Sequence, residues 1–150
     1  MSAHTATILW ARDGADFGYR NYPRDHVWRF DNGIEVLASA APAYLGNAQR
    51  VDPESAFVAA LSSCHMLTLL ALASNQGYLI DRYEDHATGH LEKNANGKFA
   101  VTRVDLKPKI AFSGPKLPTA ADLERLHDKA HRECFIANSV TTEVHVLRDE

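Results

Sequence analysis

The stretch VDPESAFVAALSSCHMLTLLALASN, residues 51–75, decides the fold because it reads as one long, apolar helix. Asp52 is a good N-cap, Pro53 suits the first helical position, and Glu54 places a carboxylate near the positive end of the helix dipole. Gly77 predicts the end of the helix just beyond the stretch. Apolar residues surround nearly all of the helix, which predicts burial, while its serine, threonine and histidine side chains make it a poor membrane span.

Size and composition suit an ordinary globular protein. The 150 residues, 45% of them hydrophobic and 23% charged, predict a single domain over residues 1–150. The net charge of -3 gives no support for nucleic acid or an anionic membrane as a partner. The N-terminus lacks the basic start and apolar core of a secretory signal. Two cysteines without such a signal favour a cytoplasmic location, where cysteines serve catalysis, redox chemistry or metal binding more often than structural disulfides.

Alternating apolar residues and turn signals predict strands on both sides of the long helix. Thr119 and Asp122 form a capping box that opens a second helix over about residues 119–134. Pro108 predicts a bulge or an edge position in its strand. The predicted strands cover residues 5–11, a hairpin at 26–39 around Asp31-Asn32-Gly33, and residues 81–93, 98–112 and 141–147. This order predicts an α+β fold with antiparallel sheets packed around the two helices, the first over about 53–75.

The two cysteines lie one on each predicted helix. Both could be buried as small hydrophobic side chains, or they could form a redox pair. In a redox pair Cys64 is the better attacking thiol, because the negative end of the second helix disfavours a thiolate at Cys134. Burial raises the pKa of a thiol in the middle of a helix, so Cys64 needs a nearby cation. An arginine serves best, since it stays charged when desolvated.

A metal site is the alternative from another class of protein. Cys64-His65 is one potential ligand pair, and His127, His131 and Cys134 put three more ligands on one face of the second helix. Zinc binds such nitrogen and sulfur ligands readily. No closely spaced pair of cysteines is present to start such a site, however, so we expect no metal.

Glu54 lies far from Cys64 along the predicted helix. It precedes Cys64 by ten residues, which is about 15 Å along a straight helix. A carboxylate that far from the thiol reaches it only if the helix is broken or if Glu54 comes from a second chain. The spacing therefore suggests a dimer with shared sites.

Two linked motifs resemble one family. DPESAFVAALSSCHMLTLL at 52–70 and AHRECFIANSV at 130–140 are similar to the OsmC/Ohr family of osmotically induced and organic-hydroperoxide-resistance proteins, and closer to its OsmC branch. The resemblance covers nearly the whole chain. It implies a thiol-dependent peroxidase built as an intertwined homodimer of α+β protomers, with two sites at the dimer interface.

The resemblance also implies roles for four residues. Cys64 matches the attacking cysteine of the family, Cys134 the resolving cysteine, and Glu54 the glutamate at the start of the helix. The family's arginine lies in the loop before the second strand, where Arg24 matches best and Arg20 is the second candidate. That loop, residues 11–25, is rich in tyrosine and phenylalanine and differs from the family prototypes.

We therefore expect a cytoplasmic peroxidase for organic hydroperoxides. Its expected partners are the hydroperoxide, an external thiol or dithiol reductant, and a second copy of the chain, without nucleic acid or membrane. No metal or organic cofactor is expected. The alternatives are a metal-binding protein that uses cysteine and histidine, and a relative of the fold that binds a small apolar ligand without turnover.

Overall fold

The structure, a computed structural model, describes residues 1–148. Its contacts divide the chain into two compact units, Met1–Ala56 and Phe57–Glu150. Each unit has its own sheets. The expectation of one domain over the whole chain stays a prediction.

The first unit contains a three-stranded antiparallel sheet. Its strands are β1 (Thr7–Leu9), β2 (His26–Arg29) and β3 (Glu35–Ala38), in the spatial order β1-β2-β3. The predicted hairpin is confirmed: β2 and β3 pair antiparallel across the turn, where Gly33 has a φ of 84°. Glycine adopts this left-handed conformation without steric cost. A short 3-10 turn, Pro42–Tyr44, follows β3.

The long helix α1 runs over Pro53–Asn75, as its capping residues predict. At its start, the carboxylate of Asp52 accepts hydrogen bonds from the backbone N–H of Ser55 at 3.0 Å and from the Ser55 hydroxyl at 2.8 Å. Gly77 follows the last turn with a φ of 83°. These caps satisfy backbone groups that a helix leaves free at its ends.

The expectation that α1 is buried nearly all round is wrong for the single chain. Its buried residues are Leu61, His65, Leu69 and Ala73, which recur every four positions on one face. The opposite side stays accessible, and Leu67 is 60% exposed. By length and composition α1 is apolar enough to cross a membrane, with a mean hydropathy of 1.9. Its buried stripe packs instead against the core of the second unit.

Two predicted long strands are each divided in two. Residues 81–93 form β4 (Leu79–Asp85) and β5 (Thr88–Lys93), and residues 98–112 form β6 (Phe99–Leu106) and β7 (Pro108–Ser113). β4 pairs with β7 in one sheet, whereas β5 pairs with β6 in another. The chain therefore changes sheets within each predicted strand, which residue alternation does not reveal.

The change of sheets occurs at Asp85 and Lys107. There the side chain of Asp85 accepts a hydrogen bond from the backbone N–H of Lys107 at 2.6 Å. Pro108, which has no N–H to donate, begins β7 opposite Asp85. Both strands of a two-stranded sheet are edges, so the predicted edge position of Pro108 is confirmed.

The last strand, β8 (Glu143–Val146), lies beside β6 in the sheet β5-β6-β8. It pairs parallel to β6, so the prediction of purely antiparallel sheets is wrong at this position. The chain reaches β8 through a helix, and such a crossover connection permits parallel pairing. The α+β class itself is confirmed.

The second helix, α2, runs over Ala120–Glu133, and the predicted capping box is present. Thr119 and Asp122 exchange hydrogen bonds between side chain and backbone in both directions. Two buried clusters hold the second unit together. One joins α1 to β6, and the other joins α1 to α2; their buried members are Leu61, Val104 and Leu106 in the first, and Leu69, Leu126 and Ala130 in the second. Truncation of such a buried leucine to alanine costs about 2–5 kcal/mol of stability.

Candidate functional site

The two cysteines meet within the second unit. Cys64 lies in the middle of α1 and is half-buried, while Cys134 caps the C-terminal end of α2 and is 1% exposed. Both are free thiols, and each side chain shifts the pKa of the other. The helix pair therefore brings together two thiols that are 70 residues apart in the sequence.

The pKa of the Cys64 thiol is influenced by backbone N–H groups that follow α2. Burial alone would raise the pKa of this thiol, but hydrogen bonds from the backbone of Ile136, the side chain of Cys134 and the backbone of Phe135 outweigh burial and lower it. The Thr68 hydroxyl acts in the same direction, although it also donates to the Cys64 carbonyl at 2.8 Å. A hydroxyl has one proton, so it serves one of these acceptors at a time. The lowered pKa favours the reactive thiolate.

The pKa of the Cys134 thiol is shifted in the opposite direction. Burial and its hydrogen bond with Cys64 raise the pKa of the Cys134 thiol, although the backbone N–H of Ala137 donates to its sulfur at 3.5 Å. Cys64 is therefore the better candidate for a thiolate, as the helix-dipole argument predicts. Within the single chain, backbone amides after α2 lower the pKa of Cys64, whereas the expected role of an arginine cation stays a prediction.

Arg24 lies in the first unit, in the loop two residues before β2. Its guanidinium donates to the backbone carbonyls of Tyr22 at 2.6 Å and of Tyr19. It also lies over the Tyr22 ring at 3.6 Å from the ring centroid. Arg20, the second candidate, is exposed. The loop thus holds the Arg24 side chain through its own carbonyls and an aromatic ring.

His26 fixes the backbone at Arg24. The indole N–H of Trp28 donates to Nε2 of His26 at 3.0 Å. Because an indole nitrogen only donates, Nε2 accepts, and in the neutral imidazole the proton lies on Nδ1. Nδ1 then donates to the Arg24 carbonyl at 2.8 Å. The assignment of this tautomer follows from the hydrogen bonds.

Arg24 and Glu54 line the same cavity of about 260 Å³, together with His26 and Tyr44. The expected bidentate pair between Arg24 and Glu54 is not formed among residues 1–148, because the carbonyls of Tyr19 and Tyr22 bind the guanidinium. Burial and a hydrogen bond with Asp52 raise the pKa of Glu54. A nearby cation would stabilise the ionised form of this half-buried carboxylate.

A buried pair of histidines is a feature that the sequence analysis missed. His65 on α1 and His127 on α2 are 1% and 4% exposed, and Nε2 of the first lies 2.9 Å from Nδ1 of the second. Burial lowers the pKa of each to about 4, so both are neutral at pH 7. His65 follows Leu61 and precedes Leu69 by four residues each, a spacing that could have placed it on the buried face.

The histidines of the alternative metal site are separated by this pairing. His127 contacts His65, whereas His131 is exposed. Within the described residues, no group of three or more histidine, cysteine, aspartate or glutamate side chains is arranged to hold a metal ion. The sequence spacing of His127, His131 and Cys134 thus does not form a ligand set in the single chain.

Comparison with known proteins gives the family. The model of the OsmC-like protein family matches residues 46–147. A solved OsmC-like protein of unknown function from Vibrio cholerae is 49% identical, with 99% of this chain and 100% of that chain covered and a TM-score of 0.95. No curated protein matches.

Solved structures of lower identity share the fold. An organic hydroperoxide resistance protein from Elizabethkingia anophelis is 22% identical over 98% of this chain and 95% of its own, with a TM-score of 0.69. The organic hydroperoxide resistance protein OhrB of Bacillus subtilis is 20% identical over 97% of this chain and 98% of its own, with a TM-score of 0.65. The family match and the close relationship to the Vibrio cholerae structure together show that this chain belongs to the OsmC-like family.

Proposed function

We propose that this protein is a cytoplasmic thiol peroxidase that reduces organic hydroperoxides in defence against oxidative stress. The observation that carries the proposal is the environment of Cys64. Its thiol has a lowered pKa, and the neighbouring free thiol of Cys134 contributes to this lowering. A thiolate beside a second thiol is the arrangement that a two-cysteine peroxidase requires. The names of the two hydroperoxide resistance proteins that share the fold agree with this function.

The first step is a nucleophilic attack on the peroxide. The Cys64 thiolate attacks the terminal oxygen of the hydroperoxide, so that an S–O bond forms while the O–O bond breaks. The organic alkoxide leaves and takes up a proton, which yields the alcohol, and Cys64 is oxidised to a sulfenic acid. The N–H groups of Phe135 and Ile136 stabilise the thiolate before this attack.

The second step forms a disulfide. The sulfur of Cys134 attacks the sulfur of the Cys64 sulfenic acid, and the hydroxyl group leaves as water. The two side chains are close enough to shift each other's pKa, so this step needs little rearrangement. An external thiol or dithiol then reduces the disulfide to two thiols and is itself oxidised to a disulfide.

In this proposal Arg24 and Glu54 act as a charged pair within a homodimer. Arg24 stabilises the Cys64 thiolate and the charge that develops on the leaving oxygen. Glu54 orients the guanidinium, a bidentate role that lysine does not reproduce. The pair needs Arg24 to release the carbonyls of Tyr19 and Tyr22, which it binds in the single chain.

The accessible side of α1 supports the homodimer. Leu67 is 60% exposed in the middle of an apolar helix, and Ala59, Ala60 and Ala71 are exposed as well. Small and apolar residues on one helix side allow close packing against a second copy of the chain. Light scattering should give the mass of a dimer, and a monomeric mass would contradict the shared site.

Peroxide consumption tests the function. Purified protein with a dithiol donor should consume cumene hydroperoxide faster than hydrogen peroxide. Cys64→Ser should abolish both activities, because a serine hydroxyl is far from ionised at neutral pH. The matched control is Ser63→Ala on the neighbouring exposed position, which should keep wild-type activity. Equal consumption by wild type and Cys64→Ser would overturn the proposal.

A further inference from the structure

A hydrogen bond between two buried histidines joins the helices that carry the thiols. Nε2 of His65 on α1 lies 2.9 Å from Nδ1 of His127 on α2, and the planes of the two rings differ by 5°. His65 directly follows Cys64 in the sequence, and His127 precedes Cys134 by seven residues. Seven residues are close to two full turns, so the face of α2 that carries His127 leads to Cys134. Each helix therefore contributes one cysteine and one paired histidine.

The surroundings of His65 give the direction of the hydrogen bond. Within the part of the chain that the structure describes, Nδ1 of His65 is buried and has no hydrogen-bond partner. A buried N–H without an acceptor is rare in folded proteins, so we assign the proton of this neutral ring to Nε2. Nε2 of His65 then donates to Nδ1 of His127, whose own proton lies on Nε2.

Stability does not explain why two histidines occupy this place. The buried face of α1 is otherwise apolar, with Leu61 and Leu69 four residues before and after His65. A buried hydrogen bond contributes little net free energy, because both partners give up hydrogen bonds to water, and the unpaired Nδ1 of His65 adds a cost. Two apolar side chains of similar size would fill the same space without loss of stability.

A hydrogen bond fixes what apolar contacts leave free. Apolar side chains pack in several relative positions, whereas a hydrogen bond holds two atoms at one distance and angle. A single buried polar contact can fix the register of packed helices. The cluster of Leu69, Leu126 and Ala130 between α1 and α2 is apolar, so the histidine pair adds a directional contact to a non-directional one.

We propose that His65 and His127 are positioning residues that hold the end of α2 beside Cys64, which rests on the proposed role of the two thiols. That end carries Cys134, and the backbone amides that lower the pKa of Cys64 follow it directly. The histidine pair sets the position of α2 along α1, and thereby the approach of the two sulfurs that a disulfide requires. The histidines act through the helices and take no part in the chemistry.

The first test measures the disulfide without any peroxide. Oxidised dithiothreitol oxidises the two thiols to a disulfide and is itself reduced to the dithiol, so this equilibrium gives the effective concentration of one thiol at the other. His65→Leu with His127→Leu should lower the effective concentration about tenfold, the contribution of one directional contact. The midpoint of its urea denaturation at pH 7 should not fall. A large fall in this midpoint, or failure to fold, would overturn the inference, because the pair would then serve stability.

A conservative variant keeps the hydrogen bond without the imidazole rings. The amide nitrogen of glutamine reaches the position of Nε2, and the side-chain oxygen of asparagine reaches the position of Nδ1. His65→Gln with His127→Asn therefore retains the donor and the acceptor. Its effective concentration should stay within about twofold of the wild-type value. A loss as large as that of the leucine variant would overturn the inference, since the hydrogen bond would then not position the thiols.

Two controls separate positioning from packing. Leu126→Ala removes apolar contact between α1 and α2, so it should lower the denaturation midpoint but keep the effective concentration within about twofold. His86→Leu makes the same change as the leucine variant at a side chain that is 74% exposed, and it should alter neither quantity. A fall in effective concentration for Leu126→Ala as large as for the leucine variant would overturn the inference, because any loosening of the helices would then have this effect.

Alkylation and turnover separate this inference from the proposed function. In the leucine variant the pH profile of Cys64 alkylation by iodoacetamide should move to higher pH, because the amides after α2 are displaced together with Cys134. The variant with glutamine and asparagine should keep the wild-type profile. An unchanged profile in the leucine variant would overturn the inference. If the variants differ as expected but wild-type protein turns over no peroxide, the positioning role stands and the peroxidase function falls.

Discussion

The thiol region of the second unit and the Arg24 region of the first unit are built in different ways. Regular helices position Cys64 and Cys134, and backbone amides of Phe135 and Ile136 act on the thiol. Arg24 lies in an irregular loop whose own carbonyls bind its guanidinium. The thiol region is therefore assembled within one chain, whereas Arg24 is occupied by contacts of its own loop.

This difference suggests a division of labour. Rigid elements place groups more accurately than loops do, so in the proposed peroxidase the thiol pair suits the step that is common to all peroxides. Loops tolerate sequence change, so in the proposed peroxidase the Arg24 region is the part that can differ between relatives. Experiments that separate the chemistry at the two sulfurs from the effects of the Arg24 region test this division.

The largest expected effect is at the thiol region. Cys134→Ser should react once with peroxide and then stop, because a serine oxygen cannot form the disulfide that protects the Cys64 sulfenic acid. Sustained turnover with a dithiol should fall at least about a hundredfold. Mass spectrometry after one equivalent of peroxide should find a single oxidised sulfur on Cys64, and excess peroxide should overoxidise it.

Wild-type protein treated in parallel is the control, and it should form a disulfide between Cys64 and Cys134. Oxidation found first on Cys134 in the wild type would reverse the assignment of the two roles. Such a result would also contradict the lowered pKa of Cys64 and the raised pKa of Cys134.

The sequence predicts the thiol region better than the sheets. The caps at Asp52 and Gly77 give α1 its bounds, and Thr119 with Asp122 gives the start of α2, because these signals act between near neighbours. The change of sheets at Asp85 and Lys107 depends on partners that are distant in the sequence. The alternation of apolar and polar residues continues through the change of sheets. The sequence therefore predicts one strand where the structure has two.

In the candidate site, too, the features that the sequence indicates differ from those that only the structure shows. The contact of Cys64 with Cys134 follows from two helices that pack side by side, and the resemblance indicated the pair. The amides of Phe135 and Ile136 have no sequence signature, because every residue except proline carries one. The contacts of Arg24 with carbonyls of its own loop also leave no pattern in the sequence. The contacts that an irregular backbone segment makes are therefore known only from the structure.

The next largest effect concerns the stability of the thiol region in acid. His65 and His127 have pKa values near 4 when folded, against 6.5 when unfolded, because both are buried. The unfolded state thus binds more protons as the pH falls from 6.5 to 4. The free energy of unfolding should be constant above pH 6.5 and then fall, by an amount on the order of 3 kcal/mol for one histidine. Urea denaturation at a series of pH values measures this.

The double variant His65→Leu with His127→Leu should flatten this dependence, and His86→Gln is the control because the His86 side chain is 74% exposed. Hydrogen exchange at pH 5 should show the loss of protection first in α1 and α2, while the sheet β1-β2-β3 keeps its protection. An unchanged acid dependence in the double variant would show that other groups dominate it.

A smaller effect tests the role of Arg24. If Arg24 stabilises the Cys64 thiolate in the dimer, Arg24→Ala should raise the pKa of Cys64, because a cation favours the charged form. Alkylation by iodoacetamide at neutral pH should slow about tenfold, and the rate profile should move to higher pH. Arg20→Ala is the matched control and should do much less. An unchanged pH profile of alkylation for Arg24→Ala would mean that the amides of the second unit stabilise the Cys64 thiolate without Arg24.

The smallest effect tests one of those amides. Phe135→Pro removes a backbone N–H that lowers the pKa of Cys64, and the side chain it replaces is 80% exposed. The preceding residue, Cys134, is extended with φ -67° and ψ 117°, a conformation that the residue before proline prefers. Alkylation of Cys64 should slow about fivefold at neutral pH, the effect of one ordinary hydrogen bond of about 1 kcal/mol. Phe135→Ala, which keeps the N–H, should alkylate at the wild-type rate.

Equal rates for the proline and alanine variants would show that this amide does not stabilise the thiolate, and the comparison would then assign that role to Arg24.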